Sequence, residues 1–353
     1  MTMILFVLLL SVIICIHEAG HLLAAKKFGV YCFEYAFGMG PAIFKKKGKE
    51  TVYSIRAIPV GGFVAMAGEQ DGDEAYPDVE VPAGRRIGDQ AVWKRIIIML
   101  AGVTMNFLLA WLIFSMIFLH NGVYVQSPPP VVEEVVAGSP AELGGFEPGD
   151  RIIKVKASGG ASIRPDSYLD LQMFLSQYAE EELTYTVSRD GATETLVVQA
   201  EYDEAQEAYR IGIVGRAASA NDVNFLNCWR YGLMEMGVIM RLMVSTILAL
   251  FRGSGLNQLS GPVGIYNATE EFAAMGLASY LFLIAELSLN VGIFNLLPLP
   301  VLDGGQVVLL LGEAVAGRKL NEKVKMGLMG ACWILLITVM VYATWNDIIR
   351  LFG

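Results

Sequence analysis

The sequence predicts an α-helical polytopic membrane protein with four transmembrane helices, a membrane-associated β-sheet region and one external α+β domain. Of its 353 residues, 54% are hydrophobic and only 17% are charged, a balance typical of several membrane spans joined to a modest soluble portion. Four apolar runs, residues 3–25, 96–119, 280–299 and 326–343, are long enough to cross about 30 Å of hydrocarbon. The net charge of −9 argues against a nucleic acid as partner.

The first apolar run lies where a signal peptide would also lie. It has neither a basic segment before the apolar residues nor a small-residue cleavage site, both of which secretory signals carry. Cleavage would also remove the one stretch in which two histidines lie close together. We therefore expect a retained membrane helix.

Basic residues set the predicted orientation, because short cytoplasmic loops carry an excess of lysine and arginine. The loop after the first run is rich in them, whereas the segment 122–222 is mainly acidic and is expected outside. A fifth apolar segment, residues 225–251, carries Arg230, Glu235 and Arg241. If it crossed the membrane, a later basic loop would become external, so we expect an amphipathic helix at the outer leaflet. That loop contains Arg318, Lys319, Lys323 and Lys325.

The stretch between the first two spans shows strand signals broken by glycine. Tyr53, Ile55 and Ala57 alternate with Ser54 and Arg56, which is typical of a strand. The turn sequences 37–41 and 59–63, the second containing Gly61, Gly62 and Phe63, are too apolar for an ordinary exposed loop. A small sheet against the membrane domain would keep its backbone groups paired at that depth. An exposed edge near 53–57 could pair with an extended substrate chain.

The external segment contains turn and strand signals around residues 138–153. Alternating stretches at 131–136 and 183–187 flank a helical pattern at 168–178. This arrangement resembles a bacterial PDZ domain, in which an apolar groove accepts an extended chain by strand addition. A spacer domain without a peptide ligand is the open alternative.

The chemistry is concentrated in His17-Glu18-Ala19-Gly20-His21, near the end of the first run. Residues four apart share a helix face, so His17 and His21 can bind one metal while Glu18 lies beside it. This HExxH pattern is typical of zinc proteases, although it also occurs by chance in soluble proteins. Ionisable groups are costly inside a membrane and mark functional sites there, which favours the metal hypothesis.

A catalytic zinc has three protein ligands and one open position, so a third ligand is needed. Scattered single cysteines and the remaining histidine, His120, are poor candidates. Glu286 lies too near the outer end of the third run, whereas Asp303 lies just past its cytoplasmic end, level with the histidines. Asp303 is therefore the predicted ligand. The alternative is that it caps a helix starting near Gly304.

The segment before Asp303 is predicted to interrupt its helix. Pro298 and Pro300 interrupt a helix, and paired glycines follow the aspartate. Such backbone is tolerated at membrane depth only where protein buries it or where it lines a wet cavity.

Together these stretches resemble the site-2 protease family of intramembrane zinc metalloproteases, in its bacterial RseP/RasP-type branch. The resemblance rests on the HEAGH and NLLPLPVLDGG sequences and the PDZ-like insertion, and it includes residues 37–40, 59–63, 101–107 and 260–265. It implies that His17, His21 and Asp303 bind Zn²⁺, that Glu18 is the base, and that Asn295 and the apolar loops help hold substrate. Gln306 and Val103 depart from the family pattern without touching a proposed ligand.

The resemblance also implies the class of substrate and the membrane in which it is cut. Expected substrates are single-pass transmembrane proteins such as anti-sigma factors, and remnant signal peptides, cut within or near the bilayer of the bacterial inner membrane. The external domain would exclude substrates with bulky outer domains. A membrane zinc transporter or scaffold would need polar residues along several helices, and an inactive homologue would not need Glu18.

The predicted organisation has four parts. Residues 1–121 form the first membrane half, 122–216 the PDZ-like domain, 217–275 the amphipathic surface region, and 276–353 the second membrane half. The predicted substrate-binding residues are Asn295, Pro298, Pro300, Gly61, Gly62, Phe63 and Ile55.

Overall fold

In the described part of the chain, five helices of the computed structural model are long and apolar enough to cross a membrane. The model describes residues 1–203, 208–251, 259–318 and 320–352, so Lys319, used above for orientation, lies outside the described residues. The five long helices are α1 (Thr2–Lys27), α3 (Val92–Asn121), α6 (Cys228–Phe251), α8 (Leu277–Asn295) and α10 (Glu322–Phe352). All four predicted runs are therefore helical, except that the third ends at Asn295 and not at residue 299. Helix α6, expected at the membrane surface, also meets the length and hydropathy of a span, so the number of crossings stays a prediction.

Shorter elements connect these helices. The short helices are α2 (Gln70–Ala75), α4 (Pro140–Leu143), α5 (Tyr168–Gln177), α7 (Pro262–Ala274) and α9 (Asp303–Ala316), with a 3₁₀ turn at Ile87–Asp89. The strands are β1 (Cys32–Lys47), β2 (Val52–Met66), β3 (Val123–Gln126), β4 (Val132–Val135), β5 (Arg151–Ala157), β6 (Ser162–Ile163), β7 (Glu182–Arg189), β8 (Ala192–Gln199), β9 (Glu201–Asp203), β10 (Ala208–Arg210), β11 (Ile213–Gly215) and β12 (Ser219–Asp222).

The chain divides into two compact units. The first comprises Met1–Ile117, Leu226–Met243 and Leu256–Gly353, and the second comprises Phe118–Phe225 and Val244–Gly255. The first unit thus joins the two predicted membrane halves, and the second contains the predicted PDZ-like domain.

Glycine allows α1 and α3 to approach closely in the first unit. A Cβ on Gly20 would lie 2.7 Å from the carbonyl carbon of Ala101 and 2.9 Å from the Cα of Gly102. Small residues permit such backbone contact between membrane helices, where packing replaces the hydrophobic effect. The two helices are therefore held at a fixed separation beside Gly102.

Helix α8 completes the core around α1 and α3. Leu9 and Ile13 of α1 are buried against Leu283 and Ile284 of α8. Ser288 of α8 donates a 2.9 Å hydrogen bond to a backbone carbonyl of α3. These contacts bring the end of α8 and the start of α9 toward the HEAGH segment.

The C-terminal helix is tied to α7 by a buried carboxylate. Asp347 of α10 is 3% exposed, and its Oδ2 accepts 2.8 Å hydrogen bonds from the N–H groups of Gly261 and Gly264. The start of a helix has unpaired N–H groups and a positive dipole end, so a carboxylate there is stabilising.

The β1–β2 hairpin folds back on itself so that its segments form several adjacent strands. Tyr35 pairs with both Val64 and Tyr53, and Tyr53 also pairs with Lys46. The segment 52–55 therefore lies between 34–37 and 44–47. In the described part of the chain, the segment 62–65 is paired on one side only, which makes it an edge.

The predicted alternation in β2 has the opposite burial from that of a soluble sheet. Tyr53 and Ile55 are exposed, whereas Ser54 is buried. Ser54 and Arg56 donate hydrogen bonds to the buried carboxylate of Glu34. The Tyr76 hydroxyl donates a further hydrogen bond to this carboxylate. An apolar outer face with a polar, paired interior suits a hairpin in a lipid environment.

The second unit contains an antiparallel sheet in the order β6-β5-β7-β8, with α5 packed on its core. Strands lie at the stretches predicted from alternation, and α5 covers the predicted helix. Asp150 is fully buried and accepts hydrogen bonds of 2.8 and 2.7 Å from Arg189. Burial opposes the ionised form of Asp150, but the Arg189 guanidinium and the Glu147 N–H lower its pKa below the usual range. The assignment of this unit as a PDZ domain stays a prediction.

A tyrosine of α5 packs against β11 in this unit. The Tyr168 hydroxyl donates a 2.9 Å hydrogen bond to the Ile213 carbonyl at the start of β11. Its ring packs over Gly215, where an added Cβ would lie 2.5 Å from Cδ2 and Cε2 of the ring.

Candidate metal centre

His17 and His21 lie one turn apart on α1 with their Nε2 atoms facing each other. The two Nε2 atoms are 3.2 Å apart, and both side chains are buried. The Nδ1 of His21 lies 2.8 Å from the carbonyl oxygen of Ile98. Since a carbonyl only accepts, Nδ1 of His21 carries the proton and Nε2 has a free lone pair.

Asp303 reaches the same point from the start of α9. Its Oδ2 lies 3.2 Å from Nε2 of His17 and 3.5 Å from Nε2 of His21. The cap of α9 is Leu302, without a side-chain capping bond, so the capping alternative for Asp303 is wrong. Its carboxylate is directed at the histidines instead.

The glycines after Asp303 allow the loop to place it there. Helix α8 ends at Asn295, ahead of Pro298 and Pro300. A Cβ on Gly304 would lie 2.8 Å from the Cα of Leu296, and one on Gly305 would lie 2.6 Å from the nitrogen of Pro300. Any side chain at either glycine would push α9 away from the loop, and Asp303 with it.

The three donor atoms fit a zinc ion. Tetrahedral ligands about 2.0–2.1 Å from a zinc lie about 3.4 Å from one another, and the observed separations are 3.2, 3.2 and 3.5 Å. Oδ2 of Asp303 is buried, and among the described residues no donor hydrogen-bonds to it. A cation would satisfy this oxygen together with two imidazole lone pairs. One oxygen and two nitrogens match the donor set of a catalytic zinc site.

Glu18 lies beside the cluster and faces the β2 edge. A Cβ on Gly62 would lie 3.8 Å from Cγ of Glu18, and the Val64 backbone contacts the Glu18 carboxyl. The charges of His17, His21 and Asp303 act on the same carboxyl. Glu18 is therefore near the three clustered residues without being one of them.

Of the other predicted site residues, some lie beside the three clustered side chains and some do not. Nδ2 of Asn295 lies 3.4 Å from Nε2 of His17, so Asn295 borders the cluster. Gly61, Gly62 and Phe63 lie on the β2 edge, and Pro298 and Pro300 lie in the loop between α8 and α9. Ile55 pairs with both Phe37 and Phe44, so its backbone has no free side for another strand. Strand addition near 53–57 is therefore not supported, and the free edge lies at 62–65.

The sequence analysis assigned no role to two features of α3 that contact the histidines, the Ile98 carbonyl and Gly102. The Ile98 carbonyl gives no sequence signal, because every residue has one. Gly102 has a recognisable role only in the structure: a Cβ there would lie 2.7 Å from Cε1 of His17 and 2.8 Å from Cε1 of His21. The imidazole rings occupy the space that a side chain at Gly102 would need.

Comparisons with known proteins place the chain among zinc metalloproteases. The profile of peptidase family M50 matches residues 5–339. The zinc metalloprotease RasP of Bacillus licheniformis is 32% identical, with 99% of each chain covered. The regulator of sigma-W protease RasP of Bacillus subtilis is 31% identical, also with 99% of each covered. The zinc metalloprotease RasP of Shouchella clausii is 27% identical over the whole of both chains.

Proposed function

The chain belongs to peptidase family M50, and from this membership and the site geometry we propose an intramembrane zinc metalloprotease. It hydrolyses peptide bonds in or near the transmembrane segments of single-pass membrane proteins. The observation that carries the proposal is the set of three donor atoms with zinc-like separations, together with the carboxyl of Glu18, which lies beside them and is not one of the three.

His17, His21 and Asp303 would hold Zn²⁺, leaving one position open. When bound, zinc would polarise the scissile carbonyl and make water a competent nucleophile near neutral pH. Glu18 would take the proton of the attacking water and return it to the leaving amine, a role that requires a carboxyl near the metal but not bound to it. Asn295 would offer its amide N–H₂ to the substrate carbonyl, since it borders His17.

The substrate would bind in extended form along the β2 edge. A transmembrane helix hides its amides in internal hydrogen bonds, so the segment to be cut must unwind first. Residues 62–65 have a free side, and the Val64 backbone lies at the Glu18 carboxyl. A chain that added to this edge would run past the proposed base.

Its substrates would be anti-sigma factors and remnant signal peptides. The name of the Bacillus subtilis relative, regulator of sigma-W protease, supports the first class. The basic loop after α1 supports a cytoplasmic active site in the bacterial inner membrane, with the PDZ-like domain external.

Reconstitution in lipid with a model transmembrane peptide tests the proposal. Native protein should cut the peptide, a chelator should stop it, and added zinc should restore it. Glu18→Gln should retain zinc but lose about 10²–10⁴-fold in rate, because it cannot accept the proton. Equal cleavage by Glu18→Gln, or cleavage indifferent to the chelator, would contradict the mechanism.

A further inference from the structure

Helix α3 lies behind both histidines of the cluster and presents one face to them. Ile98, Gly102 and Asn106 are spaced by four residues, so they form a stripe along that face. Ile98 meets His21, Asn106 meets His17, and Gly102 lies between them. Helix α3 therefore places one polar group beside the Nδ1 atom of each imidazole.

The contact at His21 shows what such a group does. The Ile98 carbonyl accepts from Nδ1 of His21 at 2.8 Å, which fixes the tautomer and the ring orientation. Metal-ligating histidines are usually held in this way through the nitrogen that does not bind the metal.

The contact at His17 pairs two nitrogen atoms and leaves the amide oxygen of Asn106 without a donor among the described residues. Nδ2 of Asn106 lies 3.3 Å from Nδ1 of His17, and the side chain of Asn106 is fully buried. The amide oxygen of Asn106 is also buried and, within the described part of the chain, accepts no hydrogen bond. If Nδ1 of His17 accepted from the amide, Nε2 would carry the proton and could not bind a metal.

Turning the amide by about 180° resolves both problems, since the oxygen and nitrogen of an asparagine amide exchange places without any other movement. The oxygen then accepts from Nδ1–H of His17, and the lone pair of His17 Nε2 faces Asp303. We propose that Asn106 is the positioning residue for His17: its amide oxygen holds the imidazole in the tautomer that can bind zinc. This inference rests on the proposed function, because it assumes that His17 is a ligand.

The surroundings hold Asn106 in place. Ser288 of α8 donates to the backbone carbonyl of Asn106 at 2.9 Å, and the ring of Phe107, the next residue, fills the space beside Gly292. Helix α8 thus fixes the rotation of α3 at this level. A buried amide at a fixed point is suited to orienting a ring.

Zinc affinity of the full-length protein in detergent is the test, measured by competition with a chromophoric chelator. Asn106→Leu keeps the approximate volume but has no acceptor, so affinity should fall about 10–100-fold. Asn106→Asp restores an acceptor and should bind zinc within a few-fold of the native protein. The visible spectrum of the cobalt-substituted protein should change in the leucine variant and not in the aspartate variant.

Thr104→Val is the matched control, because Thr104 lies on the same helix and its hydroxyl donates to the Leu100 carbonyl within α3, with no other partner among the described residues. It should leave zinc affinity unchanged. The melting temperature of each metal-free variant separates a folding defect from a metal defect.

The outcomes distinguish this inference from the proposed function. If native protein bound no zinc, the proposed function would fail and Asn106 would have nothing to orient. If native protein bound zinc and Asn106→Leu bound it equally, only the role of Asn106 would be overturned. Loss of zinc by the aspartate variant as well would also overturn the acceptor role.

Discussion

Replacing Gly102 by alanine adds one methyl group at the point where α3 faces both imidazoles. The new Cβ would lie 2.7 Å from Cε1 of His17 and 2.8 Å from Cε1 of His21, and closer still to Nε2 of His21. Real Cβ atoms essentially never come within 3.0 Å of another heavy atom. Something must therefore move.

The movement falls on the imidazoles. Withdrawal of α3 from α1 would break the close backbone packing of Gly20 on Ala101 and Gly102 and strain the hydrogen bond from Ser288 of α8 to the Asn106 carbonyl. The rings must shift by about 0.5 Å or more, whereas functional sites tolerate about 0.5 Å and metal–ligand distances about 0.2 Å. We expect Gly102→Ala to weaken zinc binding at least tenfold, and cleavage to fall on the order of 10²-fold.

Helix propensity predicts that Gly102→Ala stabilises the metal-free protein, whereas the steric clash weakens zinc binding. The two effects can therefore be measured separately. Alanine stabilises a helix interior by about 1 kcal/mol relative to glycine, and in metal-free protein the rings are free to turn aside. The metal-free variant should melt close to the native protein while zinc stabilises it less. Gly327→Ala in α10 is the control, because nothing lies within 4 Å of its new Cβ. Native zinc affinity and cleavage in Gly102→Ala would refute this reasoning.

Three further predictions follow from other contacts. Val64→Pro should slow cleavage with zinc retained, because it removes the β2-edge N–H that hydrogen-bonds to the Glu18 carboxyl, whereas Ala57→Pro should not. Peptide-cleavage and zinc-binding assays on both variants test this, and equal slowing by both would exclude a specific role for that N–H. Arg189 lowers the pKa of Asp150 in the folded protein, so the ion pair stabilises the second unit fully above the unfolded pKa of about 3.9, and this stabilisation is lost as the pH falls through the lower folded pKa. Hydrogen exchange of β5 and β7 in the full chain should therefore rise in that acidic range. In Arg189→Met the exchange should already be fast at pH 7. Asp347→Leu leaves the start of α7 uncapped, which costs about 0.5–2 kcal/mol, so the end of α10 should become more sensitive to protease.

The sequence was sufficient to predict the spans and to select the clustered residues. Apolar length alone located all four runs that the structure makes helical, and depth along those runs selected Asp303 rather than Glu286. Both inferences use quantities that a sequence contains, namely rise per residue and distance along the chain. The resemblance to site-2 proteases is confirmed by the match to peptidase family M50. The ligand roles themselves stay predictions.

Strand edges could not be predicted in the same way. The alternation in β2 was read correctly as a strand, but alternation does not say which side of a strand is already paired. Ile55 has partners on both sides because the hairpin folds back, and the free side falls at 62–65 instead. The reversed burial, with Tyr53 outward and Ser54 inward, follows from the buried Glu34 that Ser54 pairs with, a long-range contact that no local pattern contains.

The support behind the histidines depends on a property of glycine that the sequence shows only indirectly. In an α-helix the Ile98 carbonyl accepts from the N–H of Gly102, four residues on. A carbonyl has a second lone pair, but a side chain at Gly102 would shield it. With only hydrogen there, Nδ1 of His21 reaches that lone pair at 2.8 Å. Water is scarce at this depth, so each imidazole N–H needs a protein acceptor. Gly102 thus both admits the rings and exposes the acceptor for one of them, which leaves His17 to depend on Asn106.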